Sequence, residues 1–534
     1  MSSSTQTRGR ATVLVIGSGI AGGIAALTLA EAGVDVALVN SGPELGNGNS
    51  SLAQGGIVYR AGNDSPAALA KDIMEAGAEH NYAQAVRHIC QQGPAAVQDM
   101  LLDRLRIPFN RAAAETSQEW DLTLEGGHSS HRILHCADYT GRAIMDSLLA
   151  AIAKSPNINL LRGRTAVDLI TSHHHSQSME FRYQLPNRCA GAYVFNETLG
   201  RVETLLADFT VLATGGVGQV YLHSTNAPNA VGSGLTMAHR AGVRIENAEF
   251  VQFHPTAFYQ RHAPRFLITE AMRGEGARLT NSQGEAFMGR YDRRADLAPR
   301  DIVARSIAEE MLRLDDECVY LDASFCLSHP IAERFPTIYA HCLAAGLDIT
   351  QNPIPVVPAA HYFCGGILTD LSGRTSLSAL YAVGECACTG VHGANRLASV
   401  SLLEAVLWGR SCAQDITRRL KSKRSLAPKK LHTAIPDWES PGTDHNDDPT
   451  LISQDWSSIR NTMWNYVGIT RSTARLQRAF EELRQLSRRI TDFYSSTPLS
   501  RPLIQLMHGC HAAFIITEAA RRNKNSLGCH YRVD

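Results

Sequence analysis

A glycine fingerprint near the start of the chain constrains its fold most strongly. Residues 13–23 read VLVIGSGIAGG, so that Gly17, Gly19 and Gly22 follow an apolar strand and open a helix predicted over residues 20–32. The first glycine permits a tight turn, the second lets a pyrophosphate approach the backbone, and the third lets helix and strand pack closely. This βαβ-type start predicts an α/β dinucleotide-binding fold.

The second strand of this unit is predicted over residues 34–39 and ends at Asn40, which Ser41 follows. An acid at this point would bind ribose hydroxyls of a dinucleotide. Asn40 can form hydrogen bonds there without a charge. We therefore expect Asn40 or Ser41 to contact the adenosine end of the cofactor.

A second segment of the same kind lies at residues 380–405. An apolar run ends in Gly384 and Glu385, a loop of small residues contains Arg396, and a helix is predicted from Ser401. A strand, glycine turn and helix start can offer backbone N–H groups to an anion. The planar arginine cation suits a carboxylate. Together the two segments predict a flavoenzyme that acts on an organic acid.

Composition excludes several other classes of protein. The net charge of 0 argues against a nucleic-acid-binding protein. No apolar run reaches the roughly 18 residues that a membrane span needs, and the polar start of the sequence lacks the features of a secretory signal. The 12 cysteines form no CxxC pair, so we expect no metal site. Scattered cysteines of this kind fit a reducing, cytoplasmic location.

The length of 534 residues predicts several domains. We expect a cofactor-binding domain in two parts, an inserted domain between them, a linker rich in Lys, Pro, Asp and Ser, and a helical domain. Their predicted ranges are 1–246 and 357–420 for the cofactor-binding domain, 247–356 for the insertion, 421–450 for the linker and 451–534 for the helical domain.

The hydrophobic pattern also predicts individual helices. Residues 67–105 have helical periodicity, and residues 456–488 and 502–522 read as amphipathic helices of a bundle.

The segment GNGNSSLAQGGI, at residues 46–57, adds a family resemblance. With the fingerprint and the Gly384-Glu385 segment it resembles the fumarate reductase/succinate dehydrogenase flavoprotein family, by motif order over roughly residues 13–420. The resemblance implies an α/β architecture: a Rossmann-like FAD-binding domain, an inserted α+β capping domain and a C-terminal helical bundle domain. It also implies FAD as cofactor and oxidation–reduction of a four-carbon dicarboxylate.

The resemblance implies which residues bind FAD. Membrane-complex members of the family attach FAD covalently to a histidine, where this chain has Asn49, so noncovalent FAD is expected. The implied contacts are Gly17, Ser18, Gly19, Ile20, Gly22, Asn40, Ser41, Asn49, Ser50, Ser51, Leu52, Ala53, Gln54, Gly55, Gly56, Glu385, Ser401 and Leu402.

A single acid suggests the substrate. Glu125, in LTLEGGHS at residues 122–129, stands where dicarboxylate-only relatives carry a neutral residue, and its carboxylate can pair with a substrate ammonium. The implied reaction is oxidation of L-aspartate to iminoaspartate, with O2 or fumarate as electron acceptor, as the first step of NAD biosynthesis. The alternatives are a soluble fumarate reductase without amine specificity, a flavoprotein subunit of a membrane complex, and an inactive flavin-binding scaffold.

The remaining site residues follow from motif positions. The resemblance implies that His254, Thr269, His361 and Arg396 bind the substrate carboxylates. It implies that Arg300 is catalytic, as the proton donor in fumarate reduction, and leaves its role in aspartate oxidation open. Glu270 and Arg273 either belong to the site or instead form an exposed or a scaffold ion pair.

Two departures and one partner complete the expectations. Ser233 stands where relatives have an aspartate near the cofactor, and Val400 stands where they have an asparagine. Because iminoaspartate is unstable in water, the pathway implies possible transient contact with quinolinate synthase. We expect no nucleic-acid and no membrane partner.

Overall fold

The computed structural model describes residues 8–60, 64–112, 119–261, 263–324, 330–422, 426–440, 442–444 and 448–534. The described strands are β1 (Arg8–Ile16), β2 (Val36–Val39), β3 (Ile57–Val58), β4 (Leu122–Thr123), β5 (Ile133–Leu134), β6 (Ile158–Leu161), β7 (Arg164–Thr171), β8 (Cys189–Asn196), β9 (Arg201–Leu212), β10 (Ile245–Glu246), β11 (Val251–Phe258), β12 (Phe266–Leu267), β13 (Arg278–Thr280), β14 (Val319–Asp322), β15 (Ile354–Phe363), β16 (Gly366–Leu368), β17 (Leu380–Ala382), β18 (Ala387–Cys388), β19 (Thr470–Arg471) and β20 (Tyr531–Arg532).

The described helices are α1 (Ile20–Glu31), α2 (Pro66–Ala76), α3 (Ala83–Val97), α4 (Thr140–Ala153), α5 (Ser172–His175), α6 (Met179–Arg182), α7 (Ser233–Arg240), α8 (Ala271–Gly274), α9 (Arg300–Leu314), α10 (Ile331–Arg334), α11 (Pro336–Ala344), α12 (Val400–Ser422), α13 (Lys429–Ala434), α14 (Pro449–Val467), α15 (Thr473–Ser496) and α16 (Arg501–Arg522). Within the described ranges, no helix is long and apolar enough to cross a membrane.

The fingerprint strand lies in the middle of the main sheet. The sheet order is β6-β2-β1-β9-β8-β7, and β17 pairs in parallel with β9. Strands β6, β2, β1 and β9 run parallel to one another, whereas β7, β8 and β9 pair antiparallel. Helix α1 packs between this sheet and α12. The α/β architecture with a Rossmann-like unit is therefore confirmed.

A separate antiparallel sheet covers the cavity from the other side. Its order is β12-β11-β15-β14-β13, and α9 packs against β11. Strand β15 continues past residue 356, where the sequence analysis ended the inserted domain. The domain boundaries stay a prediction, but this strand carries the chain directly from the capping sheet into the cofactor side.

Three helices, α14, α15 and α16, form the bundle near the end of the chain. Their amino ends are capped by Asp448, Ser472 and Ser500, whose side chains accept backbone N–H groups of the first turn. Their apolar faces share one core with α7 and β11 residues. The bundle therefore packs directly against the elements that build the cavity.

Two of the predicted helical segments are each divided into separate helices in the structure. The 456–488 segment is two helices, because the chain leaves helical geometry at Gly468 (φ −80°, ψ −139°). The 67–105 segment is divided into α2 and α3, and it ends in a π-helix at Gln98–Arg104. Both breaks escaped prediction because the flanking helices bury their apolar faces in the same cores, so the periodicity continues across the turns.

Candidate active site

One cavity of about 500 Å³ lies between the main sheet, the capping sheet and the start of α12. The structure brings every predicted cofactor and substrate residue except Gly22 to its wall. These residues come from segments that are far apart in sequence, from the fingerprint turn near residue 17 to the start of α12 near residue 401. The shared wall therefore arises from the fold and not from proximity along the chain.

The fingerprint turn provides one end of the cavity with exposed backbone. Gly17 has a φ of +113°, and a Cβ there would collide with the carbonyl oxygen of Ala213. Gly22 lies behind the turn, where a Cβ would collide with the Gly17 carbonyl oxygen. Gly19 precedes α1 and has no side chain of its own to cap it; the Ile20 N–H donates to Ser50 Oγ at 3.1 Å, and the helix start lines the cavity, where it can attract an anionic group. This cradle fits the pyrophosphate of a dinucleotide.

Asn40 uses its side chain within the protein. Its Oδ1 accepts a hydrogen bond from Ser18 Oγ at 2.7 Å, and its Nδ2 donates to the carbonyl oxygens of Gly42 and Glu44 at 2.6 and 3.0 Å. The amide thus holds the turn after β2. Ser41, Arg164 and, from α16, Arg501 and Gln505 also line the cavity. The sequence analysis missed the last three, since nothing near them in sequence indicates a cofactor.

Asn49 ties three segments of the cofactor side together. Its Nδ2 donates to Glu385 Oε2 at 3.0 Å, and its Oδ1 accepts from the Ala227 backbone N–H at 2.8 Å. Glu385 Oε1 accepts in turn from the Phe363 backbone N–H at 3.1 Å. Burial raises the pKa of Glu385, while the bond from Asn49 opposes that rise. Both side chains are therefore fixed parts of the cavity wall.

Glu125 is buried, and its Oε2 accepts a hydrogen bond from Ser399 Oγ at 2.5 Å. Ser399 Oγ also accepts from the Gly56 backbone N–H at 3.2 Å. Burial raises the pKa of Glu125, and the Ser399 bond and the Arg300 charge act against that rise. Ser399 was missed by the sequence analysis, although it lies in the loop between Arg396 and Ser401 that was recognised as a ligand-binding segment.

Two neutral histidines lie side by side at the cavity wall, on the paired strands β11 and β15. The rings of His254 and His361 lie 5.0 Å apart, edge to face. Burial, and then the charges of Arg300 and Arg396, lower the pKa of both well below 6.5. His254 Nδ1 accepts from the Thr256 backbone N–H at 3.2 Å, which assigns the ring proton to Nε2. His254 can therefore act as a neutral N–H donor to an anionic ligand.

Arg300 belongs to a buried network of ion pairs. Its Nε donates to Glu270 Oε2 at 2.6 Å, and Glu270 Oε1 lies 3.2 Å from an Nη of Arg273. Burial alone would raise the pKa of Glu270, but the two arginines hold it below its usual value. Glu270 and Arg273 are both buried, so the exposed ion-pair alternative was wrong. Thr269, next to Glu270, is also buried at the cavity wall.

Arg396 has the features of an anion-binding group. Its guanidinium carbon lies 4.5 Å from the centre of the Tyr362 ring, and Nη1 donates to Ser401 Oγ at 2.9 Å. Its buried Nε has no hydrogen-bond partner, and no carboxylate among the described residues pairs with it. Burial and the Arg300 charge lower its pKa to about 10, so it stays cationic at neutral pH.

A buried polar cluster supports the Tyr362 ring. Its hydroxyl donates to Glu404 Oε2 at 3.0 Å, and the same oxygen lies 3.0 Å from His392 Nε2. Thr389 Oγ1 donates to the other carboxylate oxygen at 2.5 Å. Glu404 is fully buried in α12. The cluster was not predicted, because its members become neighbours only when β15 and α12 pack together.

The two departures lie in different surroundings. Ser233 begins α7 and lines the cavity. Val400 is fully buried in the apolar core beneath α12 and does not line the cavity. A polar side chain at position 400 would therefore be buried among apolar groups in this protein.

Comparison with known families agrees with this geometry. Residues 12–402 match the family described as "FAD binding domain", and residues 456–534 match the family described as "Fumarate reductase flavoprotein C-term". The capping sheet lies within the first match, and α14 is divided by the start of the second.

Curated relatives align along almost the whole chain. The L-aspartate oxidase of Pseudomonas aeruginosa is 46% identical over 528 residues, which cover 98% of this chain and 95% of the relative. That of Yersinia pestis is 42% identical, covering 98% and 95%. A chloroplastic L-aspartate oxidase of Arabidopsis thaliana is 37% identical, covering 97% and 80%.

Solved structures share the architecture. A mutant of Escherichia coli quinol fumarate reductase superimposes with a TM-score of 0.85 and 27% identity, covering 99% of this chain and 92% of that chain. Adenylylsulfate reductase of Archaeoglobus fulgidus superimposes with a TM-score of 0.70 at 17% identity, covering 98% and 90%, and shares the fold alone.

Proposed function

Because the chain belongs to the L-aspartate oxidases, within the fumarate reductase/succinate dehydrogenase flavoprotein family, we infer that it catalyses FAD-dependent oxidation of L-aspartate to iminoaspartate. The electrons pass to O2 or to fumarate, and the reaction is the first step of de novo NAD biosynthesis. The observation that carries this function is the buried carboxylate of Glu125 in a cavity whose facing groups, Arg300, Arg396 and two histidines, are cations and N–H donors. Two substrate carboxylates and one ammonium match that set.

We propose that FAD is bound without a covalent bond. The fingerprint cradle and the 46–57 segment fit its pyrophosphate and its flavin side. Asn49 stands at the position of the family's modified histidine, and its amide is not a nucleophile and is occupied by Glu385 and Ala227. Acid precipitation of the purified protein should release all the flavin into the supernatant. Flavin that stays with the precipitate would contradict this binding mode.

The side chains around the cavity suggest how aspartate is held. Arg396 binds one carboxylate in the plane of its guanidinium. Neutral His254 and His361, with Thr269, supply hydrogen bonds to the carboxylates. FAD bound in the cavity would supply the redox chemistry, as the acceptor of a hydride from the substrate Cα. The protein itself supplies orientation and electrostatic complementarity.

Glu125 is proposed to recognise the amine. Burial raises the pKa of Glu125 and so favours its neutral form, whereas an ammonium beside it would favour the carboxylate. Ser399 holds this carboxylate in place. Arg300 is proposed to deliver the proton to carbon when fumarate is reduced.

Anaerobic addition of L-aspartate to the FAD-loaded protein tests the function directly. Absorbance of oxidised flavin should bleach with L-aspartate and not with succinate, and fumarate should restore it. Flavin that ignores aspartate yet is reoxidised by fumarate after chemical reduction would identify a fumarate reductase without amine specificity.

We also propose transient contact with quinolinate synthase, supported by the instability of the iminoaspartate product in water. Transfer of product between the two enzymes should then resist dilution. The cytoplasmic location stays a prediction.

A further inference from the structure

Residues 527–532, more than 120 positions beyond Arg396, lie against the loop that carries this arginine. Cys529 donates its backbone N–H to the Ala394 carbonyl oxygen at 3.0 Å and its thiol to Asn395 Oδ1 at 3.2 Å. Gly528 has a φ of +49°, and a Cβ on it would lie 2.5 Å from the Ala394 carbonyl oxygen. The contact is therefore close enough that only glycine fits.

The 527–532 segment is itself held on two sides. Leu527 and His530 exchange backbone hydrogen bonds of 2.8 and 2.9 Å, and β20 pairs with β19. The fully buried Arg471 places Nη1 2.6 Å from His530 Nδ1. On the capping side, Arg305 of α9 donates to the Gly528 carbonyl oxygen at 3.2 Å. The segment thus joins the helical bundle, the capping helix and the Arg396 loop.

Asn395 connects the 527–532 segment to the active site through hydrogen bonds of its side chain. Its Nδ2 donates to Asp301 Oδ1 at 3.1 Å, so its Oδ1 must face Gln252 and Cys529. Gln252, fully buried, donates through Nε2 to Asn395 Oδ1 at 2.6 Å and to the Arg396 carbonyl oxygen at 2.8 Å.

The orientation of the Gln252 amide decides what Arg300 meets. With Nε2 directed to Asn395, Gln252 Oε1 accepts from Arg300 Nη1 at 3.2 Å. The reverse orientation would set an NH2 group against a guanidinium, donor against donor. One buried amide therefore links the side chain of Arg300 to the backbone of Arg396.

We propose that Gly528 and Cys529 are positioning residues of the active site. They hold Asn395, which orients Gln252, which in turn directs the Arg300 side chain and sets its separation from the Arg396 backbone. The inference deepens the proposed function, on which it rests for the identity of the substrate.

Gly528→Ala tests the proposal, with Gly200→Ala as the matched control. Gly200 has a φ of +61°, and no atom of the described residues lies within 4 Å of a Cβ there, so the control has similar backbone strain without a collision. In FAD-loaded protein, Gly528→Ala should lower kcat/KM for aspartate by about 10- to 100-fold, since displacement of about 1 Å at a reacting site has that scale of effect. The control should stay within about twofold of the unsubstituted protein. Equal kinetics in the two variants would overturn the proposal.

Cys529→Ala and Cys529→Ser separate positioning from folding. Alanine removes the hydrogen bond to Asn395, whereas serine keeps a donor. We expect a severalfold loss of kcat/KM in the alanine variant and rescue in the serine variant, at equal flavin content and melting temperature. Equal losses in both, or none in either, would contradict the role assigned to the thiol.

Hydrogen exchange gives a readout that does not depend on turnover. Backbone amides of residues 394–396 should exchange faster in Gly528→Ala than in Gly200→Ala. Unchanged exchange would refute the coupling. If the unsubstituted protein were not reduced by aspartate, the proposed function would fail, while this measurement would still decide whether the 527–532 segment holds the Arg396 loop.

Discussion

At the scale of single residues, Glu125 is the side chain that we propose to distinguish an amino acid from a plain dicarboxylate. Glu125→Gln keeps the shape of the side chain and a hydrogen bond to Ser399 but removes the charge. A charged hydrogen bond contributes about 1.5–3 kcal/mol, so kcat/KM for aspartate should fall by about 10- to 150-fold. Anaerobic flavin reduction by aspartate measures this loss.

Fumarate-dependent reoxidation of the same chemically reduced Glu125→Gln protein is the internal control. It should change by less than about threefold, because fumarate has no ammonium and the arginines remain. An equal loss in both half-reactions would mean that Glu125 shapes the site without recognising the amine.

Sequence motifs identified the side chains that face the cavity better than those that support them. His254, His361 and Arg396 lie beside recognisable motifs, and the structure brings them to one wall. Ser399 and Gln252 lie within the same motifs, but their partners are more than 140 positions away in sequence. A short pattern carries no information about such partners, so these roles needed the tertiary structure.

At the scale of elements, the end of β15 and the start of α12 act together on Arg396. Tyr362→Phe keeps the ring beneath the guanidinium and removes only the hydroxyl, with its bond to Glu404 and its 3.2 Å contact to His392 Nε2. Tyr362→Leu removes the ring as well. Because a cation–π contact contributes about 0.5–2 kcal/mol, KM for aspartate should rise about 2- to 30-fold more in the leucine variant.

Steady-state kinetics of the two Tyr362 variants, with flavin content as a check on folding, measures this difference. If phenylalanine raised KM as much as leucine, the hydroxyl cluster around Glu404 would hold Arg396, and the ring face would not.

Element types followed from periodicity and glycine signals, whereas several ends did not. The βαβ start lies close to its predicted place. The break at Gly468 was hidden, because α14 and α15 bury residues in the same core on both sides of it. Local periodicity records which face is buried and does not record where the chain reverses.

At the scale of the whole molecule, buried neutral histidines predict loss of stability in acid. His508 is almost fully buried where α16 meets β7, with Nε2 3.1 Å from the Val167 carbonyl oxygen. Burial, with the Arg240 charge, lowers its pKa to about 3. Below about pH 6.5 His508 is protonated in the unfolded chain but stays neutral in the folded protein. The free energy of unfolding therefore decreases as the pH falls from about 6.5 towards 3.

His508→Gln keeps an N–H donor and removes the titration. Its melting temperature should fall less between pH 7 and pH 5 than that of the unsubstituted protein. Thermal unfolding followed by circular dichroism at both pH values provides the comparison. Parallel losses in the two proteins would place the acid sensitivity in other groups.

Domain order could be predicted at this scale because each unit has its own sequence character, from glycine turns to amphipathic helices. How the units meet could not be predicted. The contact of α16 with the cavity and the path of β15 across a predicted boundary depend on surfaces that no linear pattern describes.

The position of residues 527–532 in the chain also determines which part of the active site can form last during translation. Nearly all cavity-lining residues leave the ribosome before Cys529 is made, so the nascent chain can build its cofactor cradle first. If Gly528 and Cys529 position Asn395 as we propose, the orientation of Gln252 is the last part of the site to form. An enzyme whose product decomposes in water, and whose reduced flavin can release peroxide, would in this way become active only after its cofactor side and capping helix have already been assembled.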